Sequence, residues 1–358
     1  MDLTDNALHL FSKQLKVTFV LPGVNRSGGV RVTVVMAERL RMLGYEVRIV
    51  YPANPRFGRK WFYNISKKAW TTFLRYSHTN WISHFHGPVS RFVDILDLEF
   101  LPGEVVIAVG TYTVHDVNRI GAHVIKVRYN HGFSLGIPEL TRSAWGLPMT
   151  TIAVASTLVP RLEAISRGKV AAVIPNGINT SEYYVDSGIR RDGIGIMYSS
   201  HPNKAPEEII SLMCRVKDEW PDIPQYFFGA DPVPAMLKFG TYSRFPSVAE
   251  MRKIYNQCII WLSVSREEGF CLPLLESMAC GCAVVSANND GARELIQNGD
   301  NGFLLPAGDI DAFIIAIRRL IEETNLRQRM IRRSQEVVRR FNWETSVSLM
   351  DRFLKRLV

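Results

Sequence analysis

The 358-residue sequence has few cysteines and no long hydrophobic run. Its five cysteines all lie in the second half, at Cys214, Cys258, Cys271, Cys280 and Cys282. An odd number confined to one half argues against a disulfide framework and favours a reducing compartment. No stretch reaches the roughly 18 apolar residues of a membrane-spanning helix, and the beginning of the chain lacks the basic residues of a signal peptide. These absences predict a cytoplasmic protein.

Patterns for two common kinds of site are also missing. The glycine pattern Gly-x-Gly-x-x-Gly, which marks dinucleotide binding, does not occur. Cys280 and Cys282 lack a second cysteine pair, and His84 and His86 lack a nearby third ligand, so we interpret all four as structural residues rather than zinc ligands. No Asp-x-Asp motif stands in a suitable place for a metal ion. The sequence therefore predicts neither a nicotinamide cofactor nor a metal.

The composition and the distribution of charge indicate a globular protein of two domains. Hydrophobic residues make up 47% and charged residues 22% of the chain, which is an ordinary globular balance. A length of 358 residues is long for a single core. The net charge of +9 is unevenly distributed, with +10 in residues 1–173, −7 in residues 174–317 and +6 in residues 318–358. The basic excess therefore lies in the first half and at the end of the chain.

Short apolar runs rich in β-branched residues alternate with helical stretches along the chain. Strands are predicted at 16–22, 45–52, 104–110, 123–130, 151–156 and 170–177 in the first half, and at 193–200, 224–230, 259–265 and 282–287 in the second. Strands that alternate with helices form parallel, doubly wound sheets. We therefore predict an α/β protein with a hinge near residues 176–192.

The segment 265–281, SREEGFCLPLLESMACG, carries the most specific pattern in the chain. It follows a buried strand, so its loop falls at the carboxyl end of a parallel strand, where open α/β sheets bind ligands. Pro273 is typical of the first residue of a helix, and Gly281 is typical of the residue after a helix end. The segment places Glu268 in the loop and Glu276 one turn into the helix.

This arrangement suits a ligand that combines phosphate with sugar. The backbone N–H groups of Leu274 and Leu275, which we expect to lack intrahelical partners, are predicted to bind a diphosphate. Glu276 would accept hydrogen bonds from a vicinal diol such as ribose, and Glu268, beside Gly269, would hold sugar hydroxyls. Taken alone, the spacing favours a simpler interpretation, in which these are surface carboxylates and Glu276 interacts with its own helix dipole. The surrounding sequence decides between the two.

The surrounding sequence resembles the donor-binding motif of retaining glycosyltransferases with the GT-B fold, the family-4-like glycosyl transferases group 1. That motif has two glutamates with Gly-Phe and Leu-Pro between them, here Gly269-Phe270 and Leu272-Pro273. Residues 174–183, 289–309 and 341–344 resemble the interdomain segment, the next strand–helix connection with Glu294, and the start of the closing helix. The resemblance implies two Rossmann-like, doubly wound parallel-sheet domains facing a cleft. These would be an acceptor-binding domain (1–173), a donor-binding domain (174–340) and a C-terminal helix (341–358) that returns to the first domain.

The resemblance also implies the roles of individual residues. Residues implied in catalysis are Glu268, His131 and Lys204. Residues implied in donor binding are Gly28, Gly29, Gly269, Phe270, Leu274, Leu275 and Glu276. A glycine pair between a strand and its helix fits a structural turn equally well, and a histidine after a strand is more often a loop residue with a local partner.

The sequence departs from the family pattern at two positions. Ser200 stands near the place where family members have an arginine before Lys204, so one expected cation at the β-phosphate is missing. His201, Arg26 and Arg266 are candidates to replace that cation. Cys271 replaces the usual glycine after Gly269-Phe270, and we expect this change to have a small effect.

The segment 56–76 combines positive charge with aromatic rings. It contains six basic residues, seven aromatic residues and no acid. Cationic side chains among amphipathic rings suit an anionic membrane surface, and the residues predicted to form this acceptor or membrane surface are Arg59, Lys60, Trp61, Lys67, Lys68 and Trp70. A solvated loop whose aromatics pack on the core explains the composition equally well. Nucleic-acid binding is not favoured, because no recognisable module is present.

These features predict a retaining, metal-independent glycosyltransferase. It would move a sugar from a nucleoside diphosphate sugar to a hydroxyl of a glycan or lipid-linked acceptor. We expect it in the cytoplasm, with peripheral association with the cytoplasmic membrane face. Two alternatives remain open, a nucleotide-sugar epimerase of the same architecture and a non-catalytic nucleotide-sugar-binding subunit.

Overall fold

The computed structural model describes residues 15–24, 26–53, 81–132, 138–166 and 168–358. These residues form two compact units. The first unit contains the described residues up to Val154 together with Val159–Ile174 and Glu344–Val358, and the second contains Ala155–Leu158 and Pro175–Trp343. The short segment Ala155–Leu158 therefore belongs to the second unit although residues of the first unit flank it.

The described residues of the first unit form a parallel sheet of seven strands. Its order is β3-β2-β1-β4-β5-β6-β7, which runs outward from β1 in both directions and is therefore doubly wound. The strands are β1 (Lys16–Val20), β2 (Glu46–Pro52), β3 (Val89–Phe92), β4 (Val105–Val109), β5 (Ile125–Asn130), β6 (Thr150–Ala153) and β7 (Val170–Val173). The helices of this unit are α1 (Gly28–Met42), α2 (Thr111–Arg119), α3 (Pro138–Trp145) and α4 (Val159–Ser166).

The second unit has a parallel sheet of six strands in the order β10-β9-β8-β11-β12-β13. The strands are β8 (Gly193–Tyr198), β9 (Gln225–Gly229), β10 (Thr241–Arg244), β11 (Cys258–Ser263), β12 (Ala283–Ala287) and β13 (Phe303–Leu305). The helices are α5 (Pro206–Glu219), α6 (Val248–Gln257), α7 (Leu272–Ala279), α8 (Asp290–Leu295), α9 (Ile310–Glu322) and α10 (Thr324–Val338). The prediction of two doubly wound parallel α/β units is confirmed.

The central strands were predictable because helices cover both faces of a parallel sheet. All five residues of β4 and all five of β12 are buried, so each reads as a continuous apolar run rather than an alternating one. The edge strands β3, β10 and β13 were not predicted. They are only three or four residues long, and most residues of β3 and β10 are exposed or half-buried, so the sequence carries no apolar run there.

Two of the segments noted in the sequence meet in the structure. The amide of Ile178 donates to the carbonyl of Phe341 over 2.8 Å. A Cβ added to Gly177 would lie 2.6 Å from the backbone nitrogen of Trp343, so only glycine permits this approach. The interdomain segment and the start of the closing helix are therefore packed against each other within the second unit.

The closing helix, α11 (Trp343–Lys355), lies in the first unit from Glu344 onward. The hydroxyl of Tyr45 donates to Asp351 over 2.6 Å, and Arg39 pairs with Glu344 over 3.2 Å. The Tyr45 bond is partly buried and the Arg39 pair is exposed, so packing rather than the surface pair anchors the helix.

Candidate active site

The segment with the two glutamates forms the predicted strand, loop and helix. β11 ends at Ser263, a loop follows, and α7 begins at Leu272. Gly281 has a φ of +81°, the left-handed conformation expected after a helix end. Because the helix begins one residue earlier than predicted, Pro273 is its second residue rather than its first. The loop lies at the carboxyl edge of the second sheet, as the strand direction requires.

The start of α7 corrects one prediction. The amides of Leu274 and Leu275 were predicted to lack intrahelical partners, and this is wrong. Both donate to the carbonyl of Cys271, over 3.0 and 3.4 Å. The early start of the helix explains the error, because it places these residues at the third and fourth positions, where the cap carbonyl is within reach. The amide of Leu272, at the first position, is the one that the helix itself leaves without an acceptor.

Backbone strain concentrates at the carboxyl edge of the second sheet. Among the described residues, three that are not glycine have a positive φ: Ala205 at 54°, Phe245 at 55° and Cys271 at 63°. They follow β8, β10 and β11. A left-handed conformation costs a residue with a Cβ roughly 1–2 kcal/mol, and such strain tends to persist at functional sites. Cys271, which replaces the usual glycine, therefore stands at a left-handed position that favours glycine.

Lys204 and Glu268 form an ion pair at this edge. The ammonium nitrogen of Lys204 lies 2.5 Å from a carboxylate oxygen of Glu268, and the side chains are 24% and 12% exposed. Burial alone would lower the pKa of Lys204, but attraction to Glu268 and the hydrogen bond between them outweigh burial, so the pKa of Lys204 is raised. Lys204 is therefore charged, and the structure brings together two of the three residues implied in catalysis.

Residues at the start of α8 hold the loop that carries Glu268 in place. The amide of Gly291 donates to the carbonyl of Glu268 over 2.9 Å, and the side-chain amide of Asn289 donates to the carbonyl of Ser265 over 2.7 Å. A Cβ on Gly291 would lie 2.7 Å from the backbone nitrogen of Phe270. The start of α8 thus packs directly against the loop, and a residue larger than glycine would not fit at position 291.

Gly269 and Phe270 are both buried in this loop. The ring of Phe270 is 3% exposed and packs edge-on against Phe341, with ring centroids 5.3 Å apart. Phe270 therefore anchors the loop within the second unit. Its implied role in donor binding stays a prediction, as does that of Gly269.

Glu276 is almost completely buried and holds a hydrogen bond with a tyrosine. The residue is 4% exposed, and its carboxylate accepts from the hydroxyl of Tyr255 over 2.8 Å. An ionised carboxylate in such surroundings is costly unless it is hydrogen-bonded. Nothing in the sequence indicated Tyr255, which has the spacing of an ordinary core residue of α6.

A small cavity opens beside the ion pair. Its lining includes Lys204, Glu268, Cys271, Ser263, Ser265 and Pro273. Burial and the nearby Glu268 raise the pKa of the Cys271 thiol to about 12, so the side chain is a neutral thiol. The cavity therefore presents one ammonium, one carboxylate and small polar side chains at the carboxyl ends of β8 and β11.

Near the position of the missing arginine, two serines donate hydrogen bonds to a carboxylate. Asp231 accepts from the amide of Ser200 over 2.8 Å and from the hydroxyl of Ser199 over 3.2 Å. Of the predicted replacements in this unit, Arg266 pairs with Glu208, and the ring of His201 accepts from the amide of Asn203 over 3.3 Å. Lys204 is therefore the cation that lines the cavity.

Arg191 secures the opposite end of α7. Its guanidinium donates to the carbonyls of Cys258 and Cys280 over 2.9 and 2.6 Å and to the side chain of Asn256 over 2.7 Å. A cation at a helix C-terminus also complements the helix dipole. The end of the predicted hinge segment therefore fixes both the start of β11 and the end of α7.

The implied residues of the first unit lie close to one another. Gly28 and Gly29 are the first two residues of α1, capped by Ser27, where no preceding turn supplies an acceptor for their amides. A Cβ on Gly29 would lie 3.8 Å from the side chain of His131. The third candidate for the missing cation, Arg26, lies over the ring of Trp81 at 5.8 Å.

The ring nitrogens of His131 are buried without a polar partner among the described residues. Both ring nitrogens are inaccessible, and neither has a hydrogen-bond partner among the described residues. The ring lies 4.3 Å from that of Tyr129. Burial lowers the pKa of His131 to about 3, so the imidazole is neutral at physiological pH. An orphaned neutral imidazole beside a helix start is suited to a hydrogen bond with a ligand.

Other residues noted in the sequence have structural roles. All five cysteines are free, and Cys280 and Cys282 are fully buried. His86 pairs with Glu38 over 3.1 Å, and the ring of His84 interacts with the carbonyl of Trp81 over 3.2 Å. Within the described parts of the chain, no group of three potential ligands is arranged for a metal ion.

The predicted membrane surface cannot be placed. Arg59, Lys60, Trp61, Lys67, Lys68 and Trp70 all lie outside the described residues. No helix in the parts that are described is long and apolar enough to cross a membrane. The role of the segment 56–76 stays a prediction.

Comparison with known proteins agrees with this geometry. The family model "Glycosyl transferases group 1" matches residues 241–337. The phosphatidyl-myo-inositol mannosyltransferase of Mycolicibacterium smegmatis is 25% identical over 354 residues, which cover 88% of this chain and 87% of that protein. Residues 241–337 are therefore similar to the group 1 glycosyltransferases, and a mannosyltransferase is similar to the chain over most of its length.

Solved structures show the fold of this chain to be GT-B. HepE of Anabaena, determined in complex with UDP and glucose, matches with a TM-score of 0.74 at 16% identity, over 96% of this chain and 100% of that one. Sucrose-phosphate synthase of Thermosynechococcus elongatus matches with a TM-score of 0.71 at 14% identity, over 96% and 99%. At these identities the likeness concerns the fold, and the chemistry has to be argued from the residues themselves.

Proposed function

We propose that this glycosyltransferase moves a sugar from a nucleoside diphosphate sugar to a hydroxyl acceptor with retention of anomeric configuration and without a metal ion. The observation that carries the proposal is the Lys204–Glu268 ion pair at the carboxyl edge of the second sheet, with the buried Glu276 in the helix that follows the Glu268 loop. A cation and two carboxylates in this arrangement match a ligand with both phosphate and hydroxyl groups. The second unit is accordingly the donor-binding domain, and the first is the acceptor-binding domain.

The cationic part of the site would hold the diphosphate. Negative charge develops on the leaving diphosphate as the bond to the sugar breaks, and fixed positive groups lower the barrier by stabilising that charge. The ammonium of Lys204 and the first amide of α7 supply such groups. HepE, a protein of the same fold, was determined in complex with UDP and glucose, which supports a donor of this class.

The two glutamates would bind the hydroxyl groups of the donor. We assign Glu276 to the ribose and Glu268 to the sugar that is transferred. In a retaining front-face reaction, the acceptor oxygen bonds to the anomeric carbon on the face that the diphosphate leaves, and the departing diphosphate takes the acceptor proton. Glu268 then orients the sugar and forms no covalent bond, in contrast to the carboxylate pair of retaining hydrolases.

The first unit would contribute a neutral imidazole and a glycine-rich helix start. His131 is uncharged, so it can donate from one ring nitrogen and accept at the other. Gly28 and Gly29 allow close approach of a ligand to the backbone of α1. We assign these three residues to contacts with the phosphate or sugar of the donor.

The acceptor would be a hydroxyl of a glycan or of a lipid-linked molecule. The Mycolicibacterium relative is named as a mannosyltransferase that acts on a phosphatidyl-myo-inositol, a lipid with a polyol headgroup. The basic and aromatic segment 56–76 has the composition of a surface that binds anionic lipid. We therefore propose that the enzyme works at the cytoplasmic face of a membrane without crossing it.

The proposal is tested by donor binding followed by transfer. A panel of nucleoside diphosphates should include one that raises the melting temperature, because a ligand that binds only the folded state stabilises it. Glu276→Ala should weaken binding of that nucleotide, while Glu268→Ala should mainly slow transfer. A chelator should leave the rate unchanged. Unaltered binding and transfer in both variants would refute the assignment of the site.

A binding function without catalysis is the second candidate. It is favoured by the absence of the family's arginine near Ser200, whose backbone amide instead donates to the carboxylate of Asp231. A binding protein of this kind would show a nucleotide-dependent rise in melting temperature but no product with any donor and acceptor. Release of nucleoside diphosphate on addition of an acceptor would exclude it.

A further inference from the structure

We propose that Tyr255 is a positioning residue whose hydroxyl holds the carboxylate of Glu276 in the orientation that receives the ribose hydroxyls of the donor. This inference rests on the proposed function, in which Glu276 binds the ribose. The sequence pattern did not indicate a role for Tyr255.

The hydrogen bond links two helices in the interior of the second unit. Tyr255 lies in the last turn of α6, and Glu276 lies in the middle of α7. The phenolic oxygen is 2.8 Å from a carboxylate oxygen of Glu276, and the bond is buried. A hydrogen bond to a charged acceptor is stronger than one between neutral groups. The bond is therefore able to fix the rotation of the carboxylate.

Neighbouring rings hold the tyrosine in place. The ring of Tyr255 is 0% exposed and meets Trp261 edge-on with centroids 4.6 Å apart. Phe228 and Tyr183 contact it at 5.7 and 6.1 Å, also edge-on. Pairs of this geometry are favourable beyond the area they bury. The hydroxyl is therefore a fixed donor rather than one that swings toward and away from Glu276.

The hydroxyl remains protonated over the physiological range. Burial, followed by the nearby negative charge of Glu276, raises the pKa of Tyr255 well above its usual value. Because the ring is fully buried, Tyr255 acts on a ligand only through Glu276. A positioning role predicts that its removal weakens only those contacts that depend on the carboxylate.

The test compares two ligands on Tyr255→Phe. Calorimetry would measure the dissociation constants of a nucleoside diphosphate and of its 2′,3′-dideoxy form. The dissociation constant of the dideoxy form divided by that of the parent nucleotide reports the contribution of the ribose hydroxyls. In Tyr255→Phe this ratio should fall about tenfold, the size of one charge-assisted hydrogen bond. Binding of the dideoxy form should stay within about twofold, because it makes no contact that depends on the carboxylate and independent sites deviate by no more than that.

Two further variants separate the possible failures. Tyr129→Phe is the matched control, because it removes another buried hydroxyl, which donates to the carbonyl of Ile174 over 3.1 Å, without touching Glu276. Its ratio should equal that of the parent protein. If Glu276→Gln leaves the ratio unchanged, the ribose contact itself is refuted. If Glu276→Gln lowers the ratio and Tyr255→Phe does not, the positioning role alone is refuted.

A stabilised background keeps the test valid if Tyr255→Phe folds poorly. Ala205→Gly relieves a left-handed backbone at φ 54° and should add stability without altering Glu276 or Tyr255. The same ratio measured in that background should show the same fall. Equal losses for the ribose and dideoxy ligands would indicate general damage to the fold and would overturn the proposal.

Discussion

The ion pair between Lys204 and Glu268 yields a prediction that runs against simple expectation. In the protein without donor, the ammonium lies 2.5 Å from the carboxylate, so a diphosphate has to compete with Glu268 for the same cation. Replacing the carboxylate by an amide removes this competitor. We therefore predict that Glu268→Gln binds a sugar-free nucleoside diphosphate more tightly while it transfers sugar more slowly.

The exposure of the two side chains sets the size of the effect. A fully exposed pair contributes about 0–1 kcal/mol, whereas two charges about 4 Å apart near a protein surface attract by roughly 4 kcal/mol. The side chains of Lys204 and Glu268 are 24% and 12% exposed, so the energy of their interaction lies between these limits. We expect a gain of about 1–2 kcal/mol, which corresponds to an affinity 5- to 30-fold higher. The transfer rate should fall at least about 100-fold, because the sugar loses its orienting carboxylate.

The assay is calorimetric titration of the nucleoside diphosphate, combined with initial rates of transfer. Glu219→Gln is the control, because it removes a carboxylate that pairs with Arg318 elsewhere in the same unit. The control should bind and react like the parent protein. If Glu268→Gln binds the diphosphate no better than the parent does, Lys204 does not meet the phosphate, and the reasoning fails.

Three further predictions concern stability and surface binding. Cys271→Gly should raise the free energy of unfolding by about 1 kcal/mol, because φ is 63° at that position, whereas Cys271→Ala keeps the strain and should give no gain, as measured by urea denaturation. Burial lowers the pKa of His131 from 6.5 to about 3, so the unfolded chain binds a proton that the folded chain does not as the pH falls below 6.5. The parent protein should therefore lose up to about 2 kcal/mol between pH 7.5 and 5, and His131→Phe should lose less over the same range. Co-sedimentation with anionic vesicles should be reduced in a Trp61→Ala, Lys67→Ala double variant, and a parent protein that does not bind such vesicles would rule out the membrane surface.

The fold was largely predictable because its central strands are buried on both faces. Runs such as Val105–Val109 and Ala283–Ala287 consist of apolar and small residues, and they alternate with helical stretches in the order that a parallel sheet needs. The edge strands β3, β10 and β13 were missed because they are short and two of them are mostly exposed or half-buried. Segment Ala155–Leu158 groups with the second unit through long-range contacts that no local pattern indicates: Ser156 and Thr157 donate to the carboxylate of Glu294.

The sequence provided candidate residues for the site, whose roles stay predictions, but it did not indicate their contacts. The motif identified Glu268, Glu276 and Lys204, yet nothing in it indicated that Lys204 and Glu268 pair with each other or that Tyr255 supports Glu276. Lys204 and Glu268 are 64 positions apart in the sequence, and Tyr255 and Glu276 are 21 apart. Both contacts therefore follow from the packing of the sheet and its helices rather than from a local pattern. The left-handed backbone at Cys271 was missed for a related reason, because a cysteine gives no sign of a conformation that glycine would have signalled.

The most direct test of the account is a structure of the protein with a bound nucleoside diphosphate sugar. We predict that diphosphate oxygens lie within hydrogen-bond distance of the Lys204 ammonium, that the ribose hydroxyls donate to the Glu276 carboxylate, and that the transferred sugar contacts Glu268. A nucleotide bound elsewhere, with the Lys204–Glu268 pair intact and Glu276 out of its reach, would contradict it.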